Sequence, residues 1–269
     1  MFFNQQPKET SIPVLPKKPI FIANWKMNLA SSESLELAQN LKQRLKDMPT
    51  EKEVVICPAF TSLFPVGEIL KGTNLVLGAQ DVFWETAGSF TGEISPVYLK
   101  DLGCQYVIVG HSERRQNLGE TDEMINKKVL ACLDNGLTPV LCVGENLSER
   151  QEGSTGNKIL RQLTRALAGV DLVEQEKLVI AYEPVWAISP GPHATAEETG
   201  EVLSIIKQSL RDLFPLTIIN NNIRLIYGGS MEADLLGDFS SQELVEGFLV
   251  GQASLSAEEF IKLVENYRI

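Results

Sequence analysis

The chain is poor in the residues on which several kinds of chemistry depend. Its 269 residues include only two histidines, His111 and His193, and four cysteines, Cys57, Cys104, Cys132 and Cys142, with no CxxC pair. So few ligands argue against a zinc site. The cysteines read as buried free thiols in a reducing cytoplasm, not as disulfides. No run of 18 apolar residues exists, so no segment reads as a transmembrane helix. Basic residues are also scarce: 24 Lys and Arg face 35 Asp and Glu, a net charge of −11. Such a surface repels nucleic acid and anionic membrane, so neither is an expected partner. It also obliges any phosphate site to build its own local positive potential. No GxGxxG follows the first apolar run, which argues against a dinucleotide-binding domain. Residues 1–18 lack the apolar core of a signal peptide and read as a flexible N-terminal extension.

What the chain has is repetition. Short β-branched runs begin near Pro19, Glu53, Leu75, Tyr106, Thr138, Leu178, Ile223 and Gly247. Most lack polar alternation, as strands buried on both faces do. Helical patterns lie between them. Ser95-Pro96 opens one and Gly103 closes it; Ser148-x-x-Gln151, Thr195-x-x-Glu198 and Ser256-x-x-Glu259 read as capping boxes. From Val202 to Leu213 the apolar positions 202, 203, 206, 210 and 213 share one helical face. Eight strands alternating with helices, with no composition shift, predict an α/β fold: a single (β/α)8 barrel of parallel strands and outer helices over residues 19–269.

Chemistry in such a barrel sits where strands hand over to the following loops. Those positions hold Asn24 with Lys26, Gln80, His111, Glu145, Glu183, the Gly228-Gly229-Ser230 turn and Gly251-Gln252. Glu183, at the end of a buried run and before Pro184, is placed as a partly desolvated base; it also fits a plain surface glutamate. His111 precedes a helix whose positive end should lower its pKa, leaving a neutral hydrogen-bond donor; a buried structural histidine is the alternative. Lys26 supplies a fixed positive charge, with Asn24 as its neutral partner. The glycine turns let backbone amides approach a phosphate, although tight turns alone would also explain them. Together these groups suit proton abstraction next to a carbonyl on a small phosphorylated substrate, with no metal or cofactor needed.

The series Asn24-Trp-Lys-Met-Asn28, Gly110-His-Ser-Glu-Arg-Arg115, Ala181-Tyr-Glu-Pro-Val-Trp-Ala-Ile188, Tyr227-Gly-Gly-Ser230 and Gly247-Phe-Leu-Val-Gly251 resembles the motifs of the triosephosphate isomerase family. Gly78-Ala-Gln80 and the stretch from Phe90 to Pro96 resemble its third-loop region. The resemblance runs from about Pro19 to the C-terminus and implies the TIM barrel that bears the family's name. It implies that Glu183 is the base, His111 the neutral electrophile, and Lys26 and Asn24 the groups that polarise and orient the substrate. The reaction implied interconverts dihydroxyacetone phosphate and glyceraldehyde 3-phosphate through an enediolate, a step of glycolysis and gluconeogenesis. Amides near Ser189, Ser230, Gly251 and Gln252 would hold the phosphate, with Glu113 and Thr91 in support. Residues 184–194 would form a lid that excludes water. A homodimer is implied, the third loop (about Gln80 to Glu93) reaching the partner near Asn24 and Lys26.

Two departures stand out. The family's Gly-Thr-Gly lid tip and Lys-Thr-Ala hinge are replaced here by Ser189-Pro190-Gly191 and Pro192-His193-Ala194, with a stiffer loop expected. His193 in that hinge is expected to be solvated or capping, not catalytic. Gln252 stands where the family has a second glycine. Two other readings of the same residues remain. One is an aldolase or epimerase, which would want a Schiff-base lysine or metal ligands. The other is a degenerate barrel that binds a phosphorylated ligand or partner without turnover.

Overall fold

The computed structural model describes residues 17–45, 51–173, 175–188 and 193–267. Within them lie β1 (Ile20–Asn24), β2 (Glu53–Cys57), β3 (Leu75–Ala79), β4 (Tyr106–Val109), β5 (Thr138–Val143), β6 (Leu178–Tyr182), β7 (Ile223–Tyr227) and β8 (Gly247–Val250). Each strand begins within one residue of its expected start. All neighbours are parallel, and β8 pairs back onto β1, with Ile20 opposite Gly247, so the sheet closes into a barrel. The helices between are α1 (Ser31–Leu45), α2 (Leu63–Leu70), α3 (Pro96–Asp101), α4 (Ser112–Asn117), α5 (Asp122–Asp134) and α6 (Leu147–Gln151). They continue with α7 (Thr155–Ala166), α8 (Ala196–Leu210), α9 (Leu216–Asn222), α10 (Leu236–Ser240) and α11 (Ala257–Asn266).

The period of two along each strand divides the core. Ile20, Ile22, Val55, Ile108, Val140 and Val179 belong to the cluster inside the barrel; their neighbours Phe21, Ala23, Val54 and Ile180 face the helices. Full burial of each such aliphatic side chain stabilises the fold by about 1.5–3 kcal/mol. At the β8–β1 seam Phe21, Phe248 and Tyr267 pack edge to face and tilted, with ring centroids 5.4–5.7 Å apart. The Tyr267 hydroxyl donates to Val245 O at 2.8 Å, which ties the end of α11 across the closure. All four cysteines are buried free thiols. No helix among the described residues is long and apolar enough to cross a membrane.

Capping chemistry fixes several helix starts. Ser95 accepts the Val97 amide with Pro96 at the first helical position, and Thr195 and Glu198 form a reciprocal capping box. The box expected at Ser148 is displaced: Asn146 is the cap of α6, and Glu149, not Gln151, returns the bond. Asn146 lies two residues earlier and offers the same short acceptor, so helix entry is set by where β5 delivers the chain. Ser256 accepts the Glu259 amide at 3.4 Å. Of the expected face of α8, Val202, Leu203, Ile206 and Leu210 are buried, whereas Leu213 lies beyond the helix. Of the expected extension, residues 1–16 lie outside the described residues; Lys17 pairs with Glu246 at 3.0 Å.

A buried charge network braces the loops at the carboxyl ends of β3 and β4. Lys128 on α5 contacts both oxygens of Asp81 at 2.6 and 2.8 Å and also binds Glu120. Arg114 on α4 closes the ring, 2.8 Å from Asp81 and 2.6 Å from Glu120. Lys128, Asp81 and Glu120 are all buried, so each depends on its partners to offset lost hydration. Replacing Lys128 by Met should leave two buried carboxylates sharing Arg114 as their one cation and cost about 3–5 kcal/mol of stability. Urea unfolding followed by circular dichroism measures it; an unchanged midpoint would contradict the role.

Candidate active site

Inward parity carries the site. Continuing the inward residues Val179 and Ala181 by two places reaches Glu183, and continuing Ile20 and Ile22 reaches Asn24, both at the barrel mouth. Glu183 is 2% exposed. Its place exists because glycine follows each neighbouring strand: a Cβ on Gly144 would sit 1.7 Å from Glu183 O, and one on Gly228 2.9 Å from Glu183 Cγ.

Two groups after β4 meet this carboxylate. The Ser112 amide donates to Glu183 Oε2 at 2.9 Å, and His111 Nε2 lies 2.9 Å from Oε1. Oε1 has no well-aligned hydrogen-bond donor among the described residues. His111 Nδ1 accepts the Glu113 amide at 3.3 Å, which assigns the ring proton to Nε2, toward Glu183. Burial alone would push Glu183 upward, but His111, the Ser112 amide and Lys26 overcome it and hold the carboxyl below the usual carboxylate range. Burial lowers the proton affinity of His111, yet the adjacent Glu183 carboxylate more than reverses this, and the net direction is upward. The expected depression by the helix is therefore absent in this arrangement. A full negative charge at contact distance outweighs the end of a six-residue helix.

Lys26 is the one non-glycine residue with positive φ among the described residues, at 53°. Short bonds hold that backbone: its amide donates to Asn24 Oδ1 at 3.2 Å, and Gln80 Nε2 donates to Lys26 O at 2.9 Å and Cys57 O at 3.0 Å. Its ammonium pairs with Glu113 at 2.6 Å. A left-handed lysine held by three bonds fits a functional constraint better than chance strain.

One cavity of about 720 Å³ brings together Asn24, Lys26, His111, Ser230, Gly251 and Gln252. Glu183 does not line it but touches His111, which does, at 2.9 Å. Thr91 is exposed on the third loop and does not line the cavity. Ser189, with residues 190–192, lies outside the described residues. His193 is half-exposed at the rim, its Nδ1 3.4 Å from Ser230 O. The Ser230 amide points to Ala187 O at 3.4 Å. Sequence reading missed the Ser112 amide as a clamp on Glu183, since a backbone donor leaves no mark in residue type. It saw Gln80 and Glu145 only as polar residues at strand ends. Glu145 is fully buried and receives Trp186 Nε1 at 2.9 Å and the Tyr182 hydroxyl at 3.1 Å, fixing the chain just after Pro184.

The Glu183 contact raises the proton affinity of His111, so Glu183→Gln should lower the imidazole pKa and keep the ring neutral down to lower pH. An NMR titration of His111 in the free protein measures this directly. An unchanged or raised value would show that the carboxylate does not govern the ring.

Comparison with known proteins points to one family. The family model for triosephosphate isomerase matches residues 19–267. A triosephosphate isomerase of Caldanaerobacter subterraneus subsp. tengcongensis is 47% identical over 93% of this chain and 100% of its own length. One from Thermoanaerobacter pseudethanolicus is 45% identical over the same shares, and one from Trichodesmium erythraeum 46% over 94% of this chain and 100% of its own. With a closed parallel barrel, a buried glutamate against a histidine at its mouth, and near full-length likeness, the chain belongs to the triosephosphate isomerase family.

Proposed function

We propose that Glu183, His111, Lys26 and Asn24 carry out the interconversion of dihydroxyacetone phosphate and glyceraldehyde 3-phosphate that membership of this family entails. The single observation that supports this assignment best is the buried Glu183 carboxylate 2.9 Å from His111 Nε2, with the ring's Nδ1 accepting the Glu113 amide. Glu183 takes the proton from the carbon next to the carbonyl and returns it to the neighbouring carbon. His111 Nε2–H and the Lys26 ammonium stabilise the negative charge that develops on the substrate oxygens. Asn24 steadies the Lys26 backbone. The contact between base and imidazole must open for this, because each is the other's partner before substrate enters. Phosphate is assigned to the amides of Gly251 and Gln252, to that of Ser230 once it leaves Ala187 O, and to Ser189.

A binding barrel without turnover is not favoured. The assembly is assigned as a homodimer working in the cytoplasm, in glycolysis and gluconeogenesis. Exposed apolar Met27, Phe64, Phe90, Val97 and Tyr98, on segments following β1, β2 and β3, support such a contact, as does the exposed third loop with Thr91. Residues 19–269 are assigned to the catalytic barrel and residues 1–18 to an extension of it.

A coupled assay on glyceraldehyde 3-phosphate tests the assignment. Wild-type protein should turn over, and Glu183→Gln should lose about 10²–10⁴-fold in kcat. The triose analogue 2-phosphoglycolate should raise the Tm of the wild-type protein, as a ligand selective for the native state must. Full activity in Glu183→Gln would overturn the role of the base.

A further inference from the structure

Both flanks of the lid segment converge on one side chain that the reaction itself does not require. Arg150 lies on α6, a short helix anchored by the Asn146–Glu149 capping box and by Lys158, which binds Glu149 at 2.7 Å. Its guanidinium carbon sits 4.4 Å from the centroid of the Trp186 ring, over the 3-10 turn that follows Glu183 and Pro184. Arg150 also lies 3.4 Å from Glu145 Oε1, the atom that holds Trp186 Nε1. On the other flank, its Nη2 donates to Glu198 Oε1 at 2.6 Å. The second oxygen of Glu198 accepts the Thr195 amide at 2.8 Å, where the chain re-enters α8.

We propose that Arg150 is a positioning residue that clamps the two ends of the lid segment, Trp186 and Thr195, to one rigid point. The proposal rests on the isomerase reading and adds to it the part of the chain that registers the lid. A guanidinium suits this role because its face stacks on the indole while its edge binds a carboxylate, which an ammonium cannot do together. The same flanks meet the phosphate loop, Ala187 O through the Ser230 amide and His193 through the Ser230 carbonyl, each at 3.4 Å. The clamp therefore fixes both ends of the segment relative to the phosphate and the base. Loosening it should leave binding of the ground-state substrate largely intact. What suffers is the enclosure of the enediolate, whose carbon–oxygen bond to phosphate can break when it is exposed. That elimination yields inorganic phosphate and an enol that tautomerises to methylglyoxal, its hydroxyl proton lost as the terminal carbon gains one.

The test measures kcat, KM, Tm and inorganic phosphate released per turnover for wild-type, R150Q, R150K, E198Q and the R150Q/E198Q pair. R150Q should lower kcat by about tenfold with KM changed less than about threefold, and should raise phosphate release. R150K, which keeps the charge but not the stack, should recover only part of the loss. E198Q should move the same quantities in the same direction, and the double variant should lose less than the product of the single losses. If R150Q does not fold, E198Q carries the test alone, because it changes one atom at a partly exposed site. Unaltered kcat and phosphate release in these variants overturn the proposal. A fall in Tm and kcat with unaltered phosphate release also overturns it, as the role is then structural. An inactive wild-type protein would instead overturn the isomerase reading beneath it.

Discussion

A carboxylate buried at a barrel mouth is the constraint around which this molecule is arranged. Hiding Glu183 from water penalises its charged form, and the surroundings must offset that penalty without neutralising the group. They do so with a backbone amide and an imidazole, not with a strong salt bridge. An amide dipole and a ring N–H stabilise the anion yet can be surrendered to an incoming ligand at modest cost, whereas a bidentate arginine could not. The glycines opposite are part of the same solution, since any side chain at 144 would collide with the backbone of Glu183.

The second constraint is electrostatic scarcity. In a chain of net charge −11, a phosphorylated substrate meets a repulsive surface. The mouth answers with Lys26, whose ammonium is held by Glu113 while its backbone takes a strained turn fixed by Asn24 and Gln80. In the proposed reaction the rest of the phosphate's partners are backbone amides after β7 and β8. The buried Asp81–Lys128–Glu120–Arg114 ring holds α4, and with it His111 and Ser112, in register with Glu183.

Much of this was legible in the chain. Strands buried on both faces read as continuous β-branched runs, so all eight starts were visible, and Asn24 and Glu183 stood out at the handovers from strand to loop. Motif resemblance added the roles, and the comparisons show the family. The unread parts share a cause. The cap of α6 fell to Asn146 because two adequate caps stood two residues apart and only the path of β5 chooses between them. The proton affinity of His111 went the other way because its dominant neighbour comes from a strand 72 positions later. Ser112, Lys128 and Arg150 act through contacts between distant segments, and no local pattern announces those.

The Ser112 amide and His111 hold Glu183 in the structure, and every step of the proposed reaction needs them to give it up to substrate. A crystal structure of the protein with 2-phosphoglycolate tests this most directly. The Ser112–Glu183 hydrogen bond should then be broken, with His111 Nε2 and Glu183 both facing the ligand. Ligand bound in the cavity with Glu183 still on the Ser112 amide would contradict it.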